Sequence, residues 1–238
     1  MRNCLFCHGN VSSAFGWSAF LGLQKRHPVC EDCENSFQLI TGELCEICGR
    51  EWTLVAEENR HGDTCSDCFR WEGDPETTGL LQQNRSVYQY NEQMKDILAR
   101  YKFRGDAVLA QGFQKEFRNT FEKVWDKKVR PILVPIPLSP ERKYERGFNQ
   151  SLLLAEFLPG KPEELLSKNN SDKQSKKARR ERLERENTFY VPEPEKVMGK
   201  SILLIDDIYT TGTTVRMAAK VLKDAGAKDI SSYTLVRS

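Results

Sequence analysis

The sequence lacks long hydrophobic runs, any large excess of one charge, and cysteine beyond residue 68, and each absence removes a class of protein. The most apolar early stretch, residues 11–23, is too short to cross a bilayer, so no transmembrane segment is expected. No apolar segment follows Arg2, so a secretory leader is not expected and the cytoplasm is. In that reducing compartment disulfides are disfavoured, and the eight cysteines read as metal ligands. Histidine is scarce: His8, His27 and His61 lie near the cysteines, but eight thiolates leave them as surface or supporting groups. A net charge of +2 names no partner by itself.

What is present is unevenly spread. Residues 1–80 carry 6 Lys+Arg against 13 Asp+Glu, a balance of −7, and residues 81–238 carry 30 against 21, a balance of +9. An acidic head on a basic body permits the body to meet polyanions. A chain of 238 residues suffices for one ordinary domain and a small one, and a hydrophobic fraction of 39% is low but adequate for a core. The polar segment 72–79 (EGDPETTG) reads as the boundary, with a double zinc-ribbon module over 1–72 and a second domain over 80–238.

All eight cysteines form Cys-x2-Cys pairs: Cys4/Cys7, Cys30/Cys33, Cys45/Cys48 and Cys65/Cys68. Two intervening residues let both thiolates face one ion, and two pairs complete a closed tetrahedral site of the structural type. Four pairs therefore imply two structural Zn2+ ions. The last two pairs are separated by 16 residues, the usual ribbon spacing, and the first two by 22, an insert that holds Trp17, Phe20 and Leu21 as a mini-core. Sequential pairing keeps each loop short, and a cross-braced arrangement is the alternative. A thioredoxin-like redox motif fits poorly, because four tandem pairs are not set in a βαβ pattern.

Beyond residue 79 strands and helices alternate. Residues 87–90, 131–137, 201–205 and 230–236 read as strands. Met94, Ile97, Leu98 and Tyr101 recur at helical spacing, as do Phe113, Phe117, Phe121 and Val124. Further helices are expected through Leu152 and Ala155 and over 215–225, the latter ended by Gly226. This order indicates an α/β fold, a mostly parallel sheet flanked by helices.

Ligands of such sheets bind beyond the carboxyl ends of the strands. One strand ends in Asp206 and Asp207, the candidate catalytic pair, whose carboxylates can accept bonds from vicinal hydroxyls and help hold a Mg2+ shell. Thr210, Thr211, Gly212, Thr213 and Thr214 then lead into a helix, whose free N–H groups and hydroxyls make a phosphate cradle, and Gly212 permits close approach. The alternative is a plain N-cap cluster after a core strand. A second strand end carries Arg142, Lys143 and Arg146, suited to a doubly charged group or else a solvated helix turn. Between the two lies the basic insert 168–185, with eight Lys+Arg, including Lys176, Lys177, Arg179 and Arg180 as candidate DNA contacts. It reads as a lid, a solvated helix or the wall of a single-strand groove. Tyr144, Phe148 and Tyr209 are candidate base-stacking groups, or core.

The acid pair joined to Thr-Thr-Gly-Thr-Thr resembles the PRPP motif of type I phosphoribosyltransferases. That resemblance implies that Asp206 and Asp207 hold the ribose hydroxyls, that residues 210–214 hold the 5′-phosphate, and that Arg142, Lys143 and Arg146 occupy the pyrophosphate loop. With residues 83–88, 102–106, 134–137, 145–150 and 173–177 added, the chain resembles the ComF family over its whole length. That implies a role in natural transformation, handling incoming single-stranded DNA in the cytoplasm, and the competence helicase-like ATPase ComFA as partner. A place peripheral to the membrane-bound uptake machinery is also implied. Two functions stay open: an adaptor that keeps PRPP as a ligand, and an active phosphoribosyltransferase with an unidentified acceptor. No nucleobase-specificity segment follows the motif, so ordinary purine salvage is not expected.

Overall fold

Residues 202–205, Ile-Leu-Leu-Ile, are buried on both sides, as the centre of a helix-covered parallel sheet requires. A computed structural model describes residues 3–11, 28–103, 106–125, 131–169 and 188–238. The amino-terminal part contributes helix α1 (Glu31–Asn35), strands β1 (Arg60–His61) and β2 (Thr64–Cys65), and helix α2 (Ser66–Gly73). Strand β3 (Asn84–Gln89), helices α3 (Glu92–Phe103) and α4 (Gln114–Val124), and strand β4 (Ile132–Pro135) follow. Next come helices α5 (Pro140–Arg146) and α6 (Gln150–Ala155) and the short strands β5 (Ser167–Lys168) and β6 (Phe189–Tyr190). Strand β7 (Ser201–Tyr209), helix α7 (Thr213–Asp224) and strand β8 (Asp229–Arg237) complete the fold.

The main sheet has the order β3-β8-β7-β4 and every pairing in it is parallel, so the α/β expectation holds. Pro135, which cannot donate to a ladder, lies in the edge strand β4. Strand β7 does not stop at Ile205 as its apolar run suggests. The ladder continues through Asp206↔Thr234, Ile208↔Val236 and Tyr209↔Arg237, because β8 is equally long and holds it. Helices α3 and α5 start at side-chain caps. Asn91 Oδ1 accepts from Met94 N (2.8 Å) before α3, and Ser139 Oγ from Arg142 N (3.3 Å) before α5, with Pro140 at its first position. Gly147 (φ 77°) ends α5 in the left-handed conformation.

Two apolar clusters cover the sheet. Leu203, Ile205, Tyr233 and Leu235 pack with Tyr101, Phe113, Phe117 and Leu154, while Ile202, Leu204 and Ile230 pack with Val215, Ala218 and Leu222. Residues of the acidic head enter both. Cys4, Phe6, Val29, Cys33 and Phe37 belong to the first cluster, and Cys45, Cys48, Val55, Cys65 and Cys68 to the second. Phe6 lies 4.9 Å from the Phe113 ring, and Arg100 of α3 donates to the Phe6 carbonyl (2.5 Å). The segment 72–79 is partly helical, since α2 runs to Gly73. Trp17, Phe20 and Leu21 lie outside the described residues. Among the described residues no helix is long and apolar enough to cross a membrane.

Candidate functional site

The cysteines gather as two tetrads, Cys4/Cys7/Cys30/Cys33 and Cys45/Cys48/Cys65/Cys68, each with its sulfurs within 4.8 Å of one another. This is the sequential pairing, not the cross-braced one. A Zn–S bond of about 2.3 Å sets tetrahedral sulfurs ~3.8 Å apart, and Cys7–Cys30 and Cys48–Cys65 are each at 3.6 Å. Backbone N–H groups already point at the sulfurs: Cys30 N to Cys4 Sγ and Cys65 N to Cys45 Sγ, both 3.3 Å. Hydrogen bonding with Cys45 holds Cys48 far below an ordinary thiol and drives Cys68 far above one. A divalent ion that accepts four thiolates fits this donor set. His61 stacks on Phe69 (4.4 Å) and His8 Nε2 faces Arg100 (3.3 Å), so neither joins a tetrad, and His27 lies outside the described residues. Elemental analysis of protein purified under reducing conditions is expected to give two zinc ions per chain. One ion or none would refute the assignment.

At the carboxyl end of β7, Asp206 and Asp207 differ sharply. Asp207 is 6% exposed and forms an ion pair with Lys102 Nζ at 2.7 Å. Asp206 Oδ1 accepts from Ser151 Oγ (3.0 Å) and from the Asp207 backbone N–H (2.9 Å). Burial, and then the adjacent Asp207 charge, pushes the Asp206 carboxyl up to about 7. Lys102 and Ser151 are site residues that the sequence alone does not single out. Only Lys102 carries a signal there, as one residue of a family motif. Ser151 is placed by the Asn149 cap of α6, whose Oδ1 accepts Ser151 N (3.0 Å).

The loop after β7 turns at Gly212, φ 83°, where a Cβ would run into the Tyr209 hydroxyl and the Arg216 guanidinium. Only glycine fits there. Thr210, Thr211 and Thr214 are exposed, Thr213 is half-buried, and Thr211 Oγ1 bonds Thr213 Oγ1 at 2.8 Å. The structure thus brings the five loop residues to the start of α7, whose first N–H groups lack helical partners.

Arg142, Lys143 and Arg146 lie on α5. The first two are exposed, and the half-buried Arg146 donates to Gln150 Oε1 (3.1 Å). Burial lowers the Arg146 pKa and the Arg142 charge adds to that, while the charges of Asp207, Glu145 and Asp206 oppose it. Lys168 in β5, at the start of the basic insert, is lowered by burial and by Arg142 and raised by Asp206. Lys102 of α3 thus contacts the acid pair directly, Arg146 of α5 and Lys168 of β5 lie near enough to feel its charge, and the Lys168 ammonium itself sits over the Phe189 ring, 4.7 Å from its centroid. Lys176, Lys177, Arg179 and Arg180 fall outside the described residues. Of the three aromatic candidates, Tyr209 is buried (2% exposed) and Phe148 packs on Tyr101, whereas Tyr144 is 92% exposed.

A helix-covered parallel sheet with these two loops defines a phosphoribosyltransferase-type protein, and the family model for the phosphoribosyl transferase domain matches residues 163–238. The whole chain says more. It is 44% identical to competence protein ComFC of Bacillus subtilis over 236 residues, covering 99% of this chain and 95% of that protein. It is 35% identical to competence protein ComFC of Streptococcus pneumoniae, covering 98% and 99%, and 24% identical to competence protein F of Haemophilus influenzae, covering 99% and 96%. The chain belongs to the ComF family of competence proteins.

Proposed function

We infer that this protein serves natural transformation by handling incoming single-stranded DNA, and that its phosphoribosyltransferase-type site binds PRPP with Mg2+. The observation that carries the reading is the ion pair of Lys102 with Asp207 at the end of β7, beside Asp206 and the threonine loop, with Arg146 and Lys168 near enough for the acids' charges to act on them. The acids suit ribose hydroxyls and a Mg2+ shell, the loop a 5′-phosphate, and the α5 cations pyrophosphate. Outward from that centre, Tyr144 offers an uncovered ring between Lys143 and Glu145, and Lys168 opens the basic insert. Cations along a backbone track with an exposed aromatic are what a single strand needs, each stacked base contributing ~1–3 kcal/mol. The family extends the proposal to the cytoplasm and to the ATPase ComFA as partner. A second reading, an active transferase that moves phosphoribose to an unidentified acceptor, is favoured by the same complete acid pair.

A salt titration with an oligonucleotide tests the DNA arm. Affinity should fall with a log–log slope of about −0.7 per phosphate neutralised. Reversing Lys176, Lys177, Arg179 and Arg180 should flatten that slope, while Tyr144→Ala should weaken binding about fivefold or more at unchanged slope. An unchanged slope in the first variant would overturn the placement. PRPP turnover measured with and without the oligonucleotide separates the two readings: turnover indifferent to DNA favours the transferase.

A further inference from the structure

The phosphate loop is fastened from the side of the second tetrad. Trp71, three positions after Cys68, donates its Nε1–H to the Thr211 carbonyl at 3.0 Å. Arg237, the last residue of β8 and 5% exposed, reaches both centres. Its Nη2 is 3.5 Å from Cys48 Sγ, and its Nη1 donates to the carbonyls of Thr210 (2.8 Å) and Tyr209 (3.2 Å). The guanidinium lies 5.0 Å from the Tyr209 ring centroid, which limits its rotation. The first tetrad is tied to a different place, α3, through Arg100 and the carbonyls of Phe6 and Leu5.

The direction of these bonds matters. A peptide unit is planar and trans, so a carbonyl and the N–H of the next residue point opposite ways. Holding the Thr210 and Thr211 carbonyls toward the tetrad turns the N–H groups of Thr211 and Gly212 to the other side. Those are donors of the proposed phosphate cradle. A thiolate held by an ion at this tetrad would be an acceptor fixed in place and charge, and would hold Arg237, whose Nη2 is 3.5 Å from Cys48 Sγ, in one position.

We propose that Arg237 and Trp71 are positioning residues that couple the metal centre at Cys45/Cys48/Cys65/Cys68 to the phosphate loop at residues 210–214. The proposal rests on the reading of that loop as a phosphate site. Coupling between two sites acts both ways: the metal centre sharpens phosphate binding, and a bound phosphate alters the environment of Cys48. Lysine cannot replace Arg237, since a single ammonium does not span Cys48 and Thr210 together.

The test uses the full chain with 113Cd in both tetrads, under reducing conditions, and ribose 5-phosphate as probe. The cadmium spectrum is expected to show two tetrathiolate signals, of which the probe shifts one. Arg237→Lys should shift that same signal without any probe and raise the dissociation constant about tenfold, within the usual range of such couplings. Trp71→Phe keeps an aromatic face for Arg216 but loses the indole N–H, and should raise the constant severalfold. Thermal melts check that each variant folds, and Trp71→Phe carries the test alone if Arg237→Lys does not. If the probe binds wild type but moves neither signal, or moves both equally, the coupling is wrong and the phosphate site stands. Wild-type affinity in both variants would likewise overturn the coupling and leave the phosphate site standing. If ribose 5-phosphate does not bind wild type, the loop reading falls and the coupling with it.

Discussion

Stripping the metal is expected to unfold the body together with the head. Two Cys-x2-Cys tetrads in a small acidic segment suggest a module that could melt alone, but the packing ties them to the sheet. Cys45, Cys48, Cys65 and Cys68 share a cluster with Val134, Ile202, Leu204 and Leu222, and Cys4 and Cys33 share the other with Leu203, Tyr233 and Phe113. A structural zinc contributes an apparent 10–16 kcal/mol, roughly the whole stability of a domain at 5–15 kcal/mol. Losing it leaves four buried thiols beside Arg237 and Asn84, whose Nδ2 donates to the Cys48 carbonyl at 3.1 Å. Cys48→Ser should therefore abolish a cooperative transition for the full chain. The measurement is hydrogen exchange at the β7 and β8 amides during chelation with a reductant present. Protection that persists in those strands after both ions have left would show that the body stands alone.

What can be read from the sequence is whatever is encoded by local spacing. The Cys-x2-Cys pairs are legible because two ligands of one ion must lie a turn apart, and the structure gathers them as two tetrads. The acid pair and Thr-Thr-Gly-Thr-Thr are legible because strand, loop and helix are contiguous there. Lys102 is different: it meets Asp207 across more than a hundred residues, through the placement of α3 against the strand end, which no local pattern states. The start of β3 is hidden for another reason. Asn84 and Ser86 look like loop residues, yet they are buried in a polar layer with Ser232 and Thr234, at 2.9 Å and 2.7 Å. The aromatic candidates cannot be sorted at all without the fold. Tyr209 carries Arg216 and Arg237 and is buried, while Tyr144 is exposed. The polar segment 72–79 behaves similarly, since Trp71 just before it and Glu72 at its start face the Thr211 carbonyl and Arg216.

Removing both acids should weaken Mg2+-dependent PRPP binding by about 2–4 kcal/mol, a factor of roughly thirty to a thousand, if each charge-assisted bond contributes ~1.5–3 kcal/mol less water compensation. The two single variants should part company in stability. Asp207 pairs with Lys102 at 2.7 Å, so Asp207→Ala removes the direct partner of a largely enclosed ammonium, leaves it only the charge of Asp206, and destabilises the fold. Asp206 is held up to about 7 by burial and by Asp207. An unfolded aspartate titrates near 3.9, so between about pH 4 and pH 7 the folded chain binds more protons than the unfolded one. A carboxyl raised in this way contributes stability below its unfolded pKa and loses it as pH rises through the folded value. Asp206→Asn removes the ionised form, and should melt higher than wild type at pH 8 and no differently at pH 4. A ligand that brings Mg2+ needs the carboxylate, so PRPP binding should tighten from pH 6 to pH 8 and release a proton. Calorimetry in two buffers of different ionisation enthalpy measures that proton directly, and melts of Asp206→Asn and Asp207→Ala at both pH values measure the rest. Equal PRPP affinity in wild type and the double variant would remove the acids from the site. A melting difference for Asp206→Asn that ignores pH would mean that its carboxyl ionises as freely in the fold as in the unfolded chain.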